Sequence, residues 1–227
     1  MKTVRHRIVC LANSRRQSGR CIAGRVWDGN RPGNWIRPVS DREGEEVSED
    51  ERRYEDGRDP QVLDIIDLPL LSPKPNDHQQ ENWLLDSNFY WTKVGVLPLD
   101  KLQQLVDPVA PLWIDGHSTY SGRNDQIPRV PTKSLESSLR LIHVDSLQLS
   151  VFRPGEEFGN PKRRVQGRFS YARNEYALWI TDPSYERKYL SKPDGEYEIG
   201  ESFLTISLGE PFKEACYKLV ATVIQVS

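Results

Sequence analysis

Hydrophobic and polar positions alternate with a period of two along much of this chain, the pattern of strands with one buried face. The clearest case is Lys162 to Asp182, KRRVQGRFSYARNEYALWITD. Val165, Phe169 and Tyr171 alternate there with Gln166, Arg168 and Ser170. Tyr176, Leu178 and Ile180 alternate in the same way with Ala177, Trp179 and Thr181. The spacing predicts two strands about a turn over Ala172-Arg173-Asn174-Glu175, centred on Arg173-Asn174. In that register Tyr171 faces Tyr176, Phe169 faces Leu178 and Arg168 faces Trp179. One face of the hairpin is then apolar. The other places a guanidinium beside an indole, with Lys162, Arg163 and Arg164 just upstream, which suits a stacked base and a phosphate held by a cation.

The same reading places strands elsewhere. Arg5 to Leu11 and Arg20 to Trp27 read as an antiparallel pair about the cationic loop Asn13 to Gly19. Asn34 to Val39 follows as a short strand that Pro38 confines to an edge or to its own end. Ser48-Glu49-Asp50-Glu51 is a capping box that predicts a short helix through Tyr54 or Glu55, ended by Gly57. Val62 to Leu71 is a long apolar strand interrupted by Asp64 and Asp67. Asn82 to Asp86 and Tyr90 to Val94 are extended, and the apolar spacing of Leu97 to Val106 predicts one amphipathic helix.

Pro111 to Pro131 has little periodicity and reads as a loop between halves, its polar tip formed by Arg123, Asn124 and Asp125. Leu139 to Phe152 is a long strand whose alternation slips near His143 to Ser146, as at a bulge. After the hairpin, Ser184 to Leu190 allows at most a short helix or turn. Phe203 to Leu208 and Cys216 to Val226 complete the set. Five strands with a short connector between the third and fourth match the order of an OB-fold. The first half repeats this plan more loosely. The expected fold is therefore mainly β: two five-stranded OB-like barrels in tandem with short helical inserts. The first is expected over 1–110, with an acidic helical insert at about 43–60. A linker or loop is expected over 111–135, and the second barrel over 136–227.

Composition agrees with folded domains and narrows the partners. The 227 residues fit one large domain or two small ones, at roughly 100 to 200 residues per domain. The chain is 37% hydrophobic and 28% charged, with a formal net charge of −2. No run approaches the roughly 18 apolar residues of a membrane helix. The N-terminal arginines do not suit a secretory signal, so a cytoplasmic location is expected. The small net charge hides an asymmetry: cations dominate Met1 to Arg42, and carboxylates crowd Glu43 to Asp59. A nucleic-acid contact would therefore be local, modest in affinity and salt-sensitive.

Enzymatic signatures are sparse. Cys10, Cys21 and Cys216 form no CxxC pair and read as buried reduced thiols in strands. Asp115-Gly116-His117 and His143-Val144-Asp145 each offer two metal ligands without a third. Asp56, Asp59, Asp64 and Asp67 are the carboxylates on which a metal-dependent nuclease would draw. No Walker loop and no GxSxG accompanies them. The reading leans to a non-enzyme with no metal and no cofactor.

With these segments in hand, the chain resembles the bacterial dual OB-fold domain family. The likeness is carried by RIVCLANSRRQSGRCIAGR, NWIRPVS, ERRYEDGRDPQVLDIIDLPL, ENWLLD, LWIDGHSTYSGRNDQI, TDPSYE and SLGEPFKEACYKLVATVI, in one order along nearly the whole length. The resemblance implies two OB barrels and a nucleic-acid-binding role, within defence or mobile-element systems; it supplies no catalytic motif. The expected function is binding of single-stranded RNA or DNA on the barrel faces. The residues expected to do it are Arg15, Arg16, Arg20, Trp35, Arg37, Arg163, Arg164, Arg168 and Trp179, with Arg123 and Asn124 contributing from the loop. The alternatives are a protein-interaction module that docks a partner on the acidic segment, a nucleotide sensor, and a metal-dependent processing enzyme.

Overall fold

The alternating segments become strands that curl into closed sheets. The computed structural model describes residues 2–226 apart from 17, 18, 43, 45 and 133, and the side chains of 16, 130 and 131 also lie outside that description. The chain divides into two compact units, Met1–Val106 with Leu135–Ser138, and Asp107–Ser134 with Leu139–Ser227.

In the first unit β1 (Val4–Arg16), β2 (Gly19–Trp27) and β3 (Pro32–Val39) form an antiparallel meander. The short α1 (Glu49–Arg52) leads to β4 (Asp64–Pro73), which pairs antiparallel with β1, and to β5 (Asn82–Leu85), which runs parallel to β3 and antiparallel to β4. Five strands thus close in the order β1-β2-β3-β5-β4 back to β1, the OB connectivity. A further strand, β6 (Thr92–Val96), pairs with β4. Ile8, Cys10, Ile22, Ile36, Ile66, Leu68 and Leu70 fill the interior.

The second unit repeats the connectivity. β7 (Gln126–Pro128) and the short α2 (Arg129–Thr132) precede β8 (Leu139–Phe152), β9 (Arg164–Tyr171), β10 (Asn174–Ile180), α3 (Pro183–Leu190), β11 (Gly195–Leu208) and β12 (Ala215–Gln225). β8, β9 and β10 form the meander, β10 runs parallel to β12, and β11 joins β12 to β8. Leu149, Val165, Phe169, Leu178, Ile180, Leu204, Ile206 and Val220 belong to its core.

Local signals account for the ends of these elements. The capping box at Ser48 forms as expected, with Glu51 N–H donating to the Ser48 hydroxyl and the Glu51 carboxylate accepting from Ser48 N–H. The helix stops at Arg52, short of Tyr54, because Tyr54 bonds instead with Arg58 and bridges to Trp91. Asp182 caps α3, with Pro183 in its first turn. Leu97 to Val106 coils more tightly than expected, as a 3₁₀ helix over Leu99–Leu105 with Leu102 and Leu105 buried. A spacing of three suits that geometry.

The barrel interior sets a pH prediction. Burial pushes the Cys10 thiol up from 9.0 to about 12, and the nearby Asp64 carboxylate adds to the shift. The unfolded chain then loses this proton first as pH rises, so the contribution is whole below pH 9.0 and fades towards about 12. Tyr54, held above its ordinary value by burial and by its bond to Asp64, acts in the same direction. Denaturant titrations of Cys10→Ala between pH 8 and 11 are expected to show a shallower alkaline loss of stability than the parent; equal slopes would refute the assignment.

Candidate nucleic-acid interface

The hairpin of β9 and β10 turns on two residues only. Ala172 and Arg173 both have positive φ, 48° and 65°, the backbone of a two-residue hairpin loop that follows the strand twist. This shortens the turn expected over 172–175, and Asn174 pairs with Tyr171. Every cross-strand partner therefore differs by two positions from the sequence reading: Phe169 faces Tyr176, Arg168 faces Ala177, and Gln166 faces Trp179. A shift of two keeps each side chain on its own face. Trp179 and Arg168 still point outward, but the arginine stacked on the indole is Arg164, its Cζ 4.0 Å from the ring centre.

Arg164 pairs across β8 with Phe152, whose ring lies 5.8 Å from that of Trp179. Three adjacent strands thus contribute Phe152, Arg164 and Trp179 to one outward cluster. One row along, Ser150 faces Gln166; both are buried, and the Ser150 hydroxyl has no partner. Gln166 donates from Nε2 to the Ser121 carbonyl at 2.6 Å. In the next row Gln148, Arg168 and Ala177 are neighbours, and Ala177 is bridged on its far side to Arg123. Arg168 and the exposed Arg123 therefore flank Ala177 on the same face.

The loop stretch 111–131 builds part of this surface. β10 and β12 touch only at Trp179–Leu219 and Ile180–Val220, and their leading halves diverge. Backbone from Arg123 to Pro128 occupies the opening: Arg123 bonds with Ala177, Asp125 accepts from Lys218 N–H, and β7 pairs with β12. From Arg123 back to Tyr120 the chain crosses the outer face of the hairpin as a strap, through the Gln166 bond at Ser121. Tyr120 then packs edge-on against Phe158 of the β8–β9 loop, at 5.6 Å, and its hydroxyl lies 3.4 Å from Glu157. Both rings are largely exposed, 79% and 71%. Gly122 is needed in this strap, because a Cβ there would lie 1.9 Å from the Asp125 carboxylate that anchors Thr119.

Placement of the expected residues is uneven. Arg123, Arg164, Arg168 and Trp179 share one face. Arg163 points elsewhere: it pairs with Asp194 at 2.6 Å and donates to the Leu190 and Lys192 carbonyls, tying the β8–β9 loop to the end of α3. Asn124 spends its side chain on Glu175 and Gly116. In the first unit Arg15 and Arg20 face each other across the β1–β2 hairpin, whereas the Arg16 side chain lies outside the described residues. Trp35 and Arg37, expected at a surface, are buried; Arg37 holds Glu81 at 3.0 Å and Ser138 at 2.9 Å. The outward side of β2 and β3 is closed in a similar way at Arg25, which donates to the Gly33 and Leu105 carbonyls.

Sequence reasoning missed Phe152, Tyr120 and Phe158. Their signal was present: Phe152 shares parity with Ser150 on the outward face, and Tyr120 and Phe158 are aromatics inside polar loops.

The electrostatics of the face are mixed. Arg168 lies 3.6 Å from Glu196, and the exposed Glu175 and Glu198 border the cations. Four carboxylates of the acidic segment are paired with nearby arginines: Arg42 with Glu51, Arg53 with Asp50, Arg52 with Asp59, and Arg58 with Asp56. Asp64 binds Lys93 and Asp67 binds Arg7, so the four aspartates read as a metal cluster serve separate partners. Among the described residues no group of three or more His, Cys, Asp or Glu converges to hold a metal. No described helix is long and apolar enough to cross a membrane.

The model of the dual OB-containing domain family matches residues 6–223, and the chain belongs to that family. No curated protein and no solved structure matches it.

Proposed function

From a chain of this family with two OB barrels, we propose a non-enzymatic binder of single-stranded RNA or DNA that uses the outer face of the second barrel. One observation carries the reading: the guanidinium of Arg164 lies over the outward indole of Trp179, 4.0 Å from the ring centre, with Phe152 beside it. A base extends such a stack, because guanidinium planes and indoles both stack on π-faces. Arg123 and Arg168 supply phosphate contacts one row away, and the exposed Tyr120–Phe158 pair offers a second platform. The surrounding carboxylates keep affinity modest and confine it to the strand that reaches these residues.

Stacking contributes about 1–3 kcal/mol per base. Trp179→Ala is therefore expected to weaken binding of a labelled oligonucleotide by roughly tenfold or more, with Arg164→Ala close behind. The two arginine–phosphate contacts predict a slope of about −1.4 in a plot of log affinity against log salt, at about −0.7 per contact. Fluorescence anisotropy over a salt series measures both. Unchanged affinity in a folded Trp179→Ala protein, or no binding at low salt, would remove this face as the interface.

A further inference from the structure

The rim of the second barrel beside the Arg164–Trp179 stack carries two lysines that no carboxylate holds. α3 begins four residues after Trp179, packs against β9 and ends against Arg163, the residue before Arg164. Its closing turn therefore lies next to the stack. Tyr185 and Tyr189 stack along the helix at 5.9 Å, and Tyr197 of β11 meets Tyr189 edge-on at 5.4 Å. The lysines lie over this row of rings. The Lys188 ammonium is 5.7 Å from the centre of Tyr185 and 5.4 Å from that of Tyr189. That of Lys192 is 4.5 Å from Tyr189 and 4.8 Å from Tyr197.

Neither lysine pairs with a carboxylate among the described residues. The acids nearby have other duties: Asp194 takes Arg153 and Arg163, Asp182 caps α3, and Glu196 faces Arg168. Glu186 stands two positions from Lys188, a spacing that does not share a helix face. Lysines at a helix C-terminus often serve its open carbonyls, but here those carbonyls are taken. Arg163 donates to the carbonyls of Leu190 and Lys192, Ser191 to those of Arg187 and Lys188, and the Lys192 N–H to that of Tyr189. The rings are spoken for as well: Tyr189 is buried, Tyr185 and Tyr197 are half-buried, and the ammoniums cover them. What this surface offers is two unmatched cations, which suit phosphate and not a base.

We infer that the single strand stacked on Trp179 continues over this rim, with Lys188 and Lys192 holding its phosphates. This rests on the interface proposed above and extends it: the hairpin face takes bases, and the end of α3 takes backbone. Such contacts fix the path of the strand and carry no base preference.

Fluorescence anisotropy on the full chain tests this with labelled oligouridylate and oligothymidylate of about 16 nucleotides, the longest site of one OB fold. The two arginines alone account for a salt slope of about −1.4, and two lysine contacts bring the parent to about −2.8. Lys188→Gln with Lys192→Gln is expected to return it to about −1.4, a loss of about 25-fold in affinity at about 0.1 M salt. Lys101→Gln with Lys213→Gln removes the same charge from exposed lysines elsewhere and is expected to leave the slope in place. Trp179→Ala is expected to lower affinity at every salt concentration without changing the slope. An unchanged slope in the Lys188 and Lys192 variant, with Trp179→Ala still weakening binding, overturns this inference and leaves the stacking interface standing. An equal loss in the Lys101 and Lys213 variant also overturns it, since net charge would then account for the effect. No binding by the parent at low salt removes both. If the double variant does not fold, Lys188→Gln alone is expected to reduce the slope by about 0.7, and an unchanged slope there overturns the inference equally.

Discussion

Replacing Lys218 by methionine is expected to cost about 3–5 kcal/mol of stability, the usual result of removing one partner from a buried ion pair. Lys218 is fully buried, and its ammonium donates at 2.7 Å both to the Asp115 carboxylate and to the Ile114 carbonyl. It also lies over the Tyr176 ring at 5.3 Å, and the Tyr176 hydroxyl donates to Asp115. Burial pulls the lysine pKa below its ordinary value, and Asp115 only partly offsets that pull. The ammonium is therefore kept in place by its partners. Without it, Asp115 retains one hydroxyl donor in a site that is 15% exposed. The double change Lys218→Met with Asp115→Asn is expected to recover most of the loss, and the cycle gives the coupling directly. Urea titrations of the four proteins decide it. A single-variant cost below about 1 kcal/mol would show that solvent reaches the site.

Arg37→Ala is expected to be similarly costly, about 3–5 kcal/mol, and for the same reason. Its guanidinium and Glu81 are both nearly inaccessible, with side chains 3% and 2% exposed. Glu81 also accepts from the Ser138 N–H and hydroxyl, so one carboxylate ties β3 to the returning segment Leu135–Ser138. Removing the arginine leaves a buried carboxylate with neutral donors only. Oligonucleotide affinity, measured under conditions where the variant remains folded, is expected to match the parent. A large loss of affinity without loss of stability would return Arg37 to the binding surface and refute its structural role.

These two cations show where sequence reading meets its limit. Arg37 sits between Ile36 and Pro38 and looks no different, in one dimension, from Arg168 between Gly167 and Phe169. Parity alone assigns both to an outward face. What separates them is what lies on that face: β3 is covered, whereas Arg168 keeps nearly half its side chain in solvent. Lys218 shows the converse. A lysine within CYKLVATVI reads as an interruption of an apolar strand, and its aspartate lies about a hundred residues away in a loop without periodicity. Asp115 drew notice only as a metal ligand beside His117; in the fold it serves as the counter-ion of a lysine.

The hairpin is an intermediate case. Its strands, faces and outward tryptophan follow from alternation, because a strand puts alternate side chains on opposite sides whatever its neighbours do. Its register does not, because that depends on whether two or four residues make the turn. The choice fell to Ala172 and Arg173, neither a residue that announces a positive φ. The consequence is chemical: Arg164, not Arg168, lies on the indole.

Local chemistry written along the chain was enough to place most of the barrel strands, the capping box at Ser48, the strand from Leu139 to Phe152, and a basic and aromatic hairpin. Each of these depends on neighbours a few residues apart. Folding alone decided that 123–128 fills the opening between β10 and β12, that Tyr120 meets Phe158, and that Trp35 and Arg37 are buried. Those outcomes depend on which surfaces meet after the sheets have closed, and burial is a property of the meeting, not of the residue.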